Sequence, residues 1–343
     1  MNARQLFLQA YLMTRSVALL PLRVLPRRRR PREWRRILLV RIDRIGDLVL
    51  STPFLRNLRE AFPAAHLVLL GTGAAPELLS DGKLVDRIIV YGKTGNRGRM
   101  LDELRHEEFD LAVDMHYDYT LATAILTSRV RAGFCVGFDM GGRGPFFDIA
   151  VPTRQKKHFV EESLDILRML GLTPRAVPPE IALHPRALDE AHAMLTQVGV
   201  RGRYATIHPG GFYPQQRWPA ERFARLADLV AESRLTPVLI GARGDAALLG
   251  EISGRMARTG AIVCGQSIGV AAAVIGGSAL FVGNNSGPLH IACAMNVPSV
   301  STMGPTDPVR FWPVSERARV LRADTVGQIS VDEMFAAIKD TLP

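Results

Sequence analysis

Short apolar runs alternate with amphipathic stretches along most of this chain. Residues 37–40, 67–70, 88–91 and 111–113 are almost free of polar side chains, the pattern of parallel strands covered on both faces. Between the first two runs, Leu48, Leu55, Leu58 and Phe62 recur near helical spacing, which predicts one helix over 48–62. The rhythm loosens between residues 172 and 185, where Pro174, Pro178, Pro179 and Pro185 mark a boundary. A second series then begins, with strands at 205–207, 238–240, 262–263, 280–282 and 299–302. Helical patterns at 219–233, 245–258, 267–276 and 287–295 separate them, and a last helix falls near 331–341. Strand followed by helix, repeated, predicts an α/β chain of two Rossmann-like, doubly wound parallel-sheet domains facing a cleft. The expected boundaries are an arm at 1–36, a first domain at 37–175, a linker region at 176–200, a second domain at 201–328 and a C-terminal helix at 329–343.

Composition narrows the classes. With 343 residues, 47% of them apolar and 22% charged, the chain can bury two ordinary cores. Disorder throughout, a collagen-like repeat and a disulfide scaffold are excluded. Cys135, Cys264 and Cys293 lie far apart without metal-ligand spacing, so reduced thiols are expected.

Charge is unevenly placed. Residues 1–36 hold ten arginines against Glu33, a net +9 out of +10 for the whole chain. The body is therefore near neutral, and nucleic acid is not an expected partner, since that needs a basic face on the fold itself. Within the arm, an apolar stretch over 5–25 precedes the arginines at 27–36. Arg15 interrupts it, so it is too short to span a bilayer. Apolar groups followed by arginines suit a helix lying on an anionic membrane. A floppy basic arm, or a helix packed on the body, is the alternative.

Ligands of doubly wound sheets sit beyond the carboxyl ends of strands, so the loops after strands are the informative ones. The first is Arg41-Ile42-Asp43-Arg44-Ile45-Gly46-Asp47. Gly46 permits a tight turn, and Asp47 reads either as a helix cap or as a general base facing the cleft. Second comes His208-Pro209-Gly210-Gly211, whose glycines can offer N–H groups to phosphate oxygens, with Gln216 and Arg217 close behind. Gly241-Ala242-Arg243-Gly244-Asp245 is either a base- or ribose-contacting turn or a plain turn with an Asp245 cap. Gly283-Asn284-Asn285-Ser286-Gly287-Pro288-Leu289-His290 packs more turn formers and donors before a helix than a turn requires, and so reads as an anion site. His290 is a ligand contact or a core histidine. Gly304-Pro305-Thr306-Asp307-Pro308 reads as a rigid turn. No Asp-x-Asp occurs to hold a metal on a diphosphate, and no P-loop is present. Gly71-Thr72-Gly73 only imitates a dinucleotide fingerprint, which ends wrongly at Pro76.

Three of these loops, in register, resemble glycosyltransferase family 9, the ADP-heptose:lipopolysaccharide heptosyltransferases. The carrying segments are 37–63 (ILLVRIDRIGDLVLSTPFLRNLREAFP), 208–223 (HPGGFYPQQRWPAERF) and 281–308 (FVGNNSGPLHIACAMNVPSVSTMGPTDP), and 158–172 resembles the family's domain-joining helix. The resemblance implies a GT-B fold with acceptor on the first domain and nucleotide-sugar on the second. It also implies inverting, metal-independent sugar transfer without a cofactor. On it, Asp47 becomes the catalytic base. Gly210, Gly211, Gln216, Arg217, Asn285, Ser286, Gly287 and His290 become donor and phosphate contacts, with Gly241 and Arg243 on the nucleotide and Arg44 and Gly46 on the acceptor side. Two positions depart from the family pattern: Gln216 stands where lysine is frequent, and Asn285 where aspartate is frequent. The expected partners are a nucleotide-sugar, most simply ADP-linked, a lipopolysaccharide-type acceptor, and an anionic membrane met by residues 1–36. The expected place is the cytoplasmic face of a bacterial inner membrane. A non-catalytic nucleotide-sugar-binding scaffold and a nicotinamide-dependent oxidoreductase are the competing readings.

Overall fold

The computed structural model describes residues 3–19, 21, 27–92, 97–153 and 156–342. Part of the arm expected at 1–36 (residues 1–2, 20 and 22–26), and the last residue of the expected C-terminal helix, lie outside the described residues. The chain divides into two compact units. One comprises Met1–Asp43, Pro53–Ala75 and Gly82–Ala176; the other comprises Arg44–Thr52, Pro76–Asp81 and Val177–Pro343.

The first unit is built on a six-stranded sheet of order β3-β2-β1-β4-β5-β6. Its strands are β1 (Arg36–Arg41), β2 (His66–Gly71), β3 (Arg87–Val90), β4 (Leu111–Asp114), β5 (Phe134–Asp139) and β6 (Ile149–Pro152). Every pairing is parallel, with Ile37 opposite both Leu67 and Leu111. The second unit repeats the plan with β7 (Tyr204–His208), β8 (Thr236–Gly241), β9 (Ala261–Cys264), β10 (Leu280–Asn284), β11 (Ser299–Met303) and β12 (Ala318–Arg322). Its order, β12-β11-β10-β7-β8-β9, is the same Rossmann order read from the other edge. The strand order therefore reverses between β1 and β4 in one unit and between β7 and β10 in the other. These reversals are where such sheets accept ligands. Apolar helices cover both faces of the second sheet, and Trp218 anchors one side. It is buried, donates its Nε1–H to Ile329 O at 2.9 Å, and meets Phe223 edge-on at 5.1 Å.

Local chemistry corrects several expectations. The helix expected over 48–62 is two helices, Ile45–Leu50 and Thr52–Ala61. Pro53 has no N–H to give to Val49 O, and the Thr52 hydroxyl takes that carbonyl instead at 2.7 Å. The Ser51 hydroxyl likewise bonds Asp47 O at 2.6 Å, so the chain bends between the helices. The expected linker region 176–200 carries a helix, Pro185–Gln197, with Pro185 at its first position and His184 capping Arg186 N–H. Strand β5 and the edge strands β6 and β12 are additions that periodicity alone does not mark.

The N-terminal helix Ala3–Ala18 lies on the first unit. Leu8, Leu12 and Leu19 are half-buried, and the Arg15 Nε–H donates to Gly141 O at 2.8 Å. The arginines that follow are largely engaged as well. Arg27 donates to Phe147 O at 2.8 Å, Arg28 pairs with Asp148 at 3.2 Å, and Arg30 donates to Leu170 O. Much of the polybasic segment thus fastens the arm to backbone carbonyls of its own unit.

Beyond β4 the first unit buries a polar cluster. Arg143, fully buried, donates to Asp114, to Thr123 Oγ1 at 3.0 Å and to His116 O at 2.6 Å. His116 Nδ1 meets Asp114 Oδ1 at 2.9 Å, and its Nε2 accepts the Ile42 N–H at 3.2 Å. Burial alone would raise the Asp114 carboxyl. The hydrogen bond from His116 Nδ1–H, with the charge of Arg143, outweighs burial and holds it at about 2. Asp114 is therefore a fixed carboxylate that sets one histidine tautomer and braces the loop leaving β1.

Candidate active site

The second unit gathers most of the residues singled out in the sequence, around the switch point between β7 and β10. Asn284, the last residue of β10, joins the loops. Its Nδ2 donates to Pro209 O at 2.8 Å and Gly210 O at 3.0 Å. Its Oδ1 accepts from Trp218 N–H at 2.9 Å and Thr302 Oγ1 at 3.0 Å. All four hydrogen-bonding capacities of this buried amide are used, and the opposite amide orientation would keep only the contact with the Thr302 hydroxyl, which can also accept. The neighbouring Asn285, expected as one of the donor contacts, reaches Phe311 O with its side-chain Nδ2 at 3.4 Å.

Gly210 and Gly211 follow β7 in a loop closed by Arg217. Its Nε and Nη2 both donate to Gly211 O, at 2.8 and 2.5 Å. Two nitrogens of this guanidinium thus hold its own loop shut. Gln216 is half-buried in the 3-10 turn Pro214–Gln216. Asp245 does not cap the helix after it; its Oδ2 accepts Ala242 N–H at 3.0 Å and lies 3.1 Å from where a Cβ on Gly210 would stand. That places the β8 loop, with Gly241 and the exposed Arg243, alongside the β7 loop.

Ser286 precedes the helix Gly287–Ala294, and its hydroxyl sits 3.4 Å from His208 Nδ1. Burial pushes the His208 imidazole down to about 4; Arg217 lowers it further and Asp245 opposes only in part. His208 is consequently neutral at neutral pH and places no second positive charge beside the helix N-terminus.

The helix Ile45–Leu50 belongs to this same unit and packs on Gly287–Ala294. A Cβ on Gly46 would lie 3.1 Å from His290 Cδ2 and 3.3 Å from Gly287 Cα. Gly46 therefore serves close helix approach, within a helix, and not the turn that its position after a strand implies. His290 is buried against it. Arg44 occupies the N-cap position, so Asp47 is the third helical residue and does not cap the helix; it is half-exposed. Asp47 and the helix N-terminus at Gly287 are thereby held in one unit through two glycines. Asn284, His208 and the exposed aromatic pair Phe212–Tyr213 were in view as motif letters but carried no assigned role in the sequence.

Among the described residues no three His, Cys, Asp or Glu side chains group as metal ligands, and no helix is long and apolar enough to cross a membrane.

A family model for glycosyltransferase family 9 (heptosyltransferase) matches residues 97–334. The chain is 32% identical over 323 residues to lipooligosaccharide heptosyltransferase 2 of Haemophilus ducreyi, covering 86% of this chain and 91% of that relative. A family 9 glycosyl transferase from Veillonella parvula superposes with a TM-score of 0.81 at 23% identity, over 90% of this chain and 97% of its own. Escherichia coli ADP-heptose lipopolysaccharide heptosyltransferase II gives 0.77 at 21% identity, over 89% and 98%. At these identities the two structures speak for the fold.

Proposed function

The chain belongs to glycosyltransferase family 9, the heptosyltransferases, and from that membership we propose that it moves heptose from ADP-heptose to a lipopolysaccharide-type acceptor, inverting the anomeric carbon without a metal. The observation that carries this reading is the packing of the Asp47 helix on Gly287 and His290. It sets a half-exposed carboxylate beside a helix N-terminus in one unit. Asp47 takes the proton of the acceptor hydroxyl. The oxygen attacks the anomeric carbon from the face opposite the diphosphate, and the bond from that carbon to the diphosphate oxygen breaks as ADP leaves. Backbone N–H groups at Gly210, Gly211 and Gly287, with the Ser286 hydroxyl, receive the charge that develops on the leaving group. Two departures from the family pattern bear on this. Gln216 supplies no charge, and Arg217 is clasped to Gly211 O, so amides and the helix dipole carry more of the load.

The test is turnover of ADP-heptose against a panel of UDP-, GDP- and CMP-sugars on a deacylated core oligosaccharide, with the product anomer read by NMR. ADP-heptose is expected to be the preferred donor, with inversion and undiminished rate in EDTA. Retention, or loss of rate restored by magnesium, overturns the mechanism; absence of turnover with every donor favours the non-catalytic scaffold.

The reading extends to a membrane surface. The N-terminal helix turns Leu6, Phe7, Tyr11, Met13 and Val17 to solvent, with Phe7 75% exposed, while Arg29 and Arg32 are exposed beyond it. A docked helix with an outward apolar face next to arginines fits insertion at the cytoplasmic face of an anionic inner membrane. Changing Phe7 and Met13 together to Glu is expected to cut co-sedimentation with phosphatidylglycerol vesicles about tenfold, since each removes an apolar anchor and adds a repelled charge. Unchanged vesicle binding rejects this contact.

A further inference from the structure

Arg44, Phe212 and Tyr213 form a construction the transfer chemistry does not use. All three belong to the second unit. The Arg44 guanidinium lies over both rings, 5.5 Å from the Phe212 centroid and 5.6 Å from that of Tyr213. The rings meet edge-to-face at 4.9 Å and 86°. Phe212 is 77% exposed. Covering so large an exposed apolar ring with an apolar surface is favourable.

The platform is also stiff. Gly210 O is held by Asn284, Gly211 O by Arg217, and Tyr213 O accepts Gln216 N–H at 2.9 Å. Arg44 caps no helix with its side chain, and among the described residues no carboxylate pairs with it. Its charge is therefore fixed in direction but unneutralised, three residues before Asp47.

Each half of this construction has a matching chemistry. The C–H face of a sugar ring is apolar and stacks on an aromatic ring as another apolar surface does. A guanidinium fork takes a carboxylate or phosphate with two parallel hydrogen bonds. A nucleobase satisfies the rings but not the cation, whereas an inorganic anion satisfies the cation but not the rings. We infer that Arg44, Phe212 and Tyr213 form a subsite for an anionic sugar ring of the acceptor, with the ring on Phe212 and its phosphate or carboxylate on Arg44. This rests on the reading of Asp47 as the base that receives the acceptor.

The test is steady-state kinetics at saturating ADP-heptose. The acceptor is a deacylated core oligosaccharide used intact, dephosphorylated and carboxyl-reduced. Arg44→Gln is expected to raise the acceptor KM about tenfold on the intact oligosaccharide, the value of one charge-assisted pair. On the stripped form that has lost the recognised anion, the variant and the wild type become equal, and which form does so identifies the anion. Arg44→Lys, which keeps the charge but not the fork, recovers only part of the loss. Phe212→Ser raises the acceptor KM on all three forms. Melting temperature and ADP affinity stay unchanged in every variant. An unchanged acceptor KM, or ADP affinity falling in step with it, overturns the subsite. Wild-type protein that turns over no acceptor at all overturns the transferase reading instead, and the two failures are thereby distinguished.

Discussion

Asp47→Asn is expected to lower turnover by about a thousandfold or more while leaving ADP affinity and melting temperature near those of the wild type. On the proposed role of Asp47 as the base, the size follows from removing a positioned base, which is worth roughly two to four orders of magnitude. The separation of activity from stability follows from where Asp47 sits. It is the third residue of the helix Ile45–Leu50, half-exposed, and the N-cap position belongs to Arg44. Asparagine keeps the shape and length of the side chain but cannot accept a proton at neutral pH. The neighbouring contacts that fix this helix are made by Gly46 against Gly287 and His290, and they are untouched by the substitution. Calorimetry with ADP and a pre-steady-state burst measurement separate binding from chemistry. Turnover within tenfold of the wild type would place the base elsewhere. A parallel fall in melting temperature would mean that Asp47 holds the helix and does not act on the acceptor.

How much of this was legible in the chain depends on the range of the interaction. The central strands were visible because each is a dense apolar run buried on both faces. The edge strand β12, which reads Ala-Arg-Val-Leu-Arg, carries polar residues and does not stand out from a helix or loop by periodicity. The break at Ser51 was signalled by Pro53, but apolar spacing across 48–62 continued through it and won the reading. Gly46 was noticed for the wrong reason. A glycine after a strand reads as a turn, and only the fold presses a second helix on it. Arg217 and Asn285 had the right chemistry for a diphosphate. That Arg217 also clasps a carbonyl six residues back, and Asn285 one 26 residues on, follows from a loop path that no local pattern encodes. The arginines of the arm illustrate the same limit, since charge density announced a partner and several of them found it in the carbonyls of their own unit.

Asn284 was hidden in the same way, and replacing it is expected to give the largest loss of stability in the second unit. Asn284→Asp conserves shape but turns two donors into an acceptor facing Pro209 O and Gly210 O, with a charge placed where the native residue is 1% exposed. Orphaning two buried carbonyls and burying a carboxylate costs at least about 3 kcal/mol, on the order of 10 °C in Tm for a unit of this size. The penalty depends on pH with a definite sign. The introduced carboxyl has a folded pKa above its unfolded value, because burial and the two carbonyls favour the protonated form, which regains one donor. Its stabilising proton is fully bound below the unfolded pKa and is lost as pH rises through the folded one. The variant therefore approaches the wild type as pH falls from neutrality towards the ordinary carboxylate range, and lies furthest below it at pH 8. Asn284→Leu has no proton to bind and shows the deficit without that pH dependence. ADP affinity falls in both, because the peptide units of Gly210 and Gly211 lose the anchor that aims their N–H groups. Paired denaturation curves for the two variants across pH 4.5–8 decide it. Equal pH dependence in both would mean that the four bonds to Asn284 are not what holds the loop.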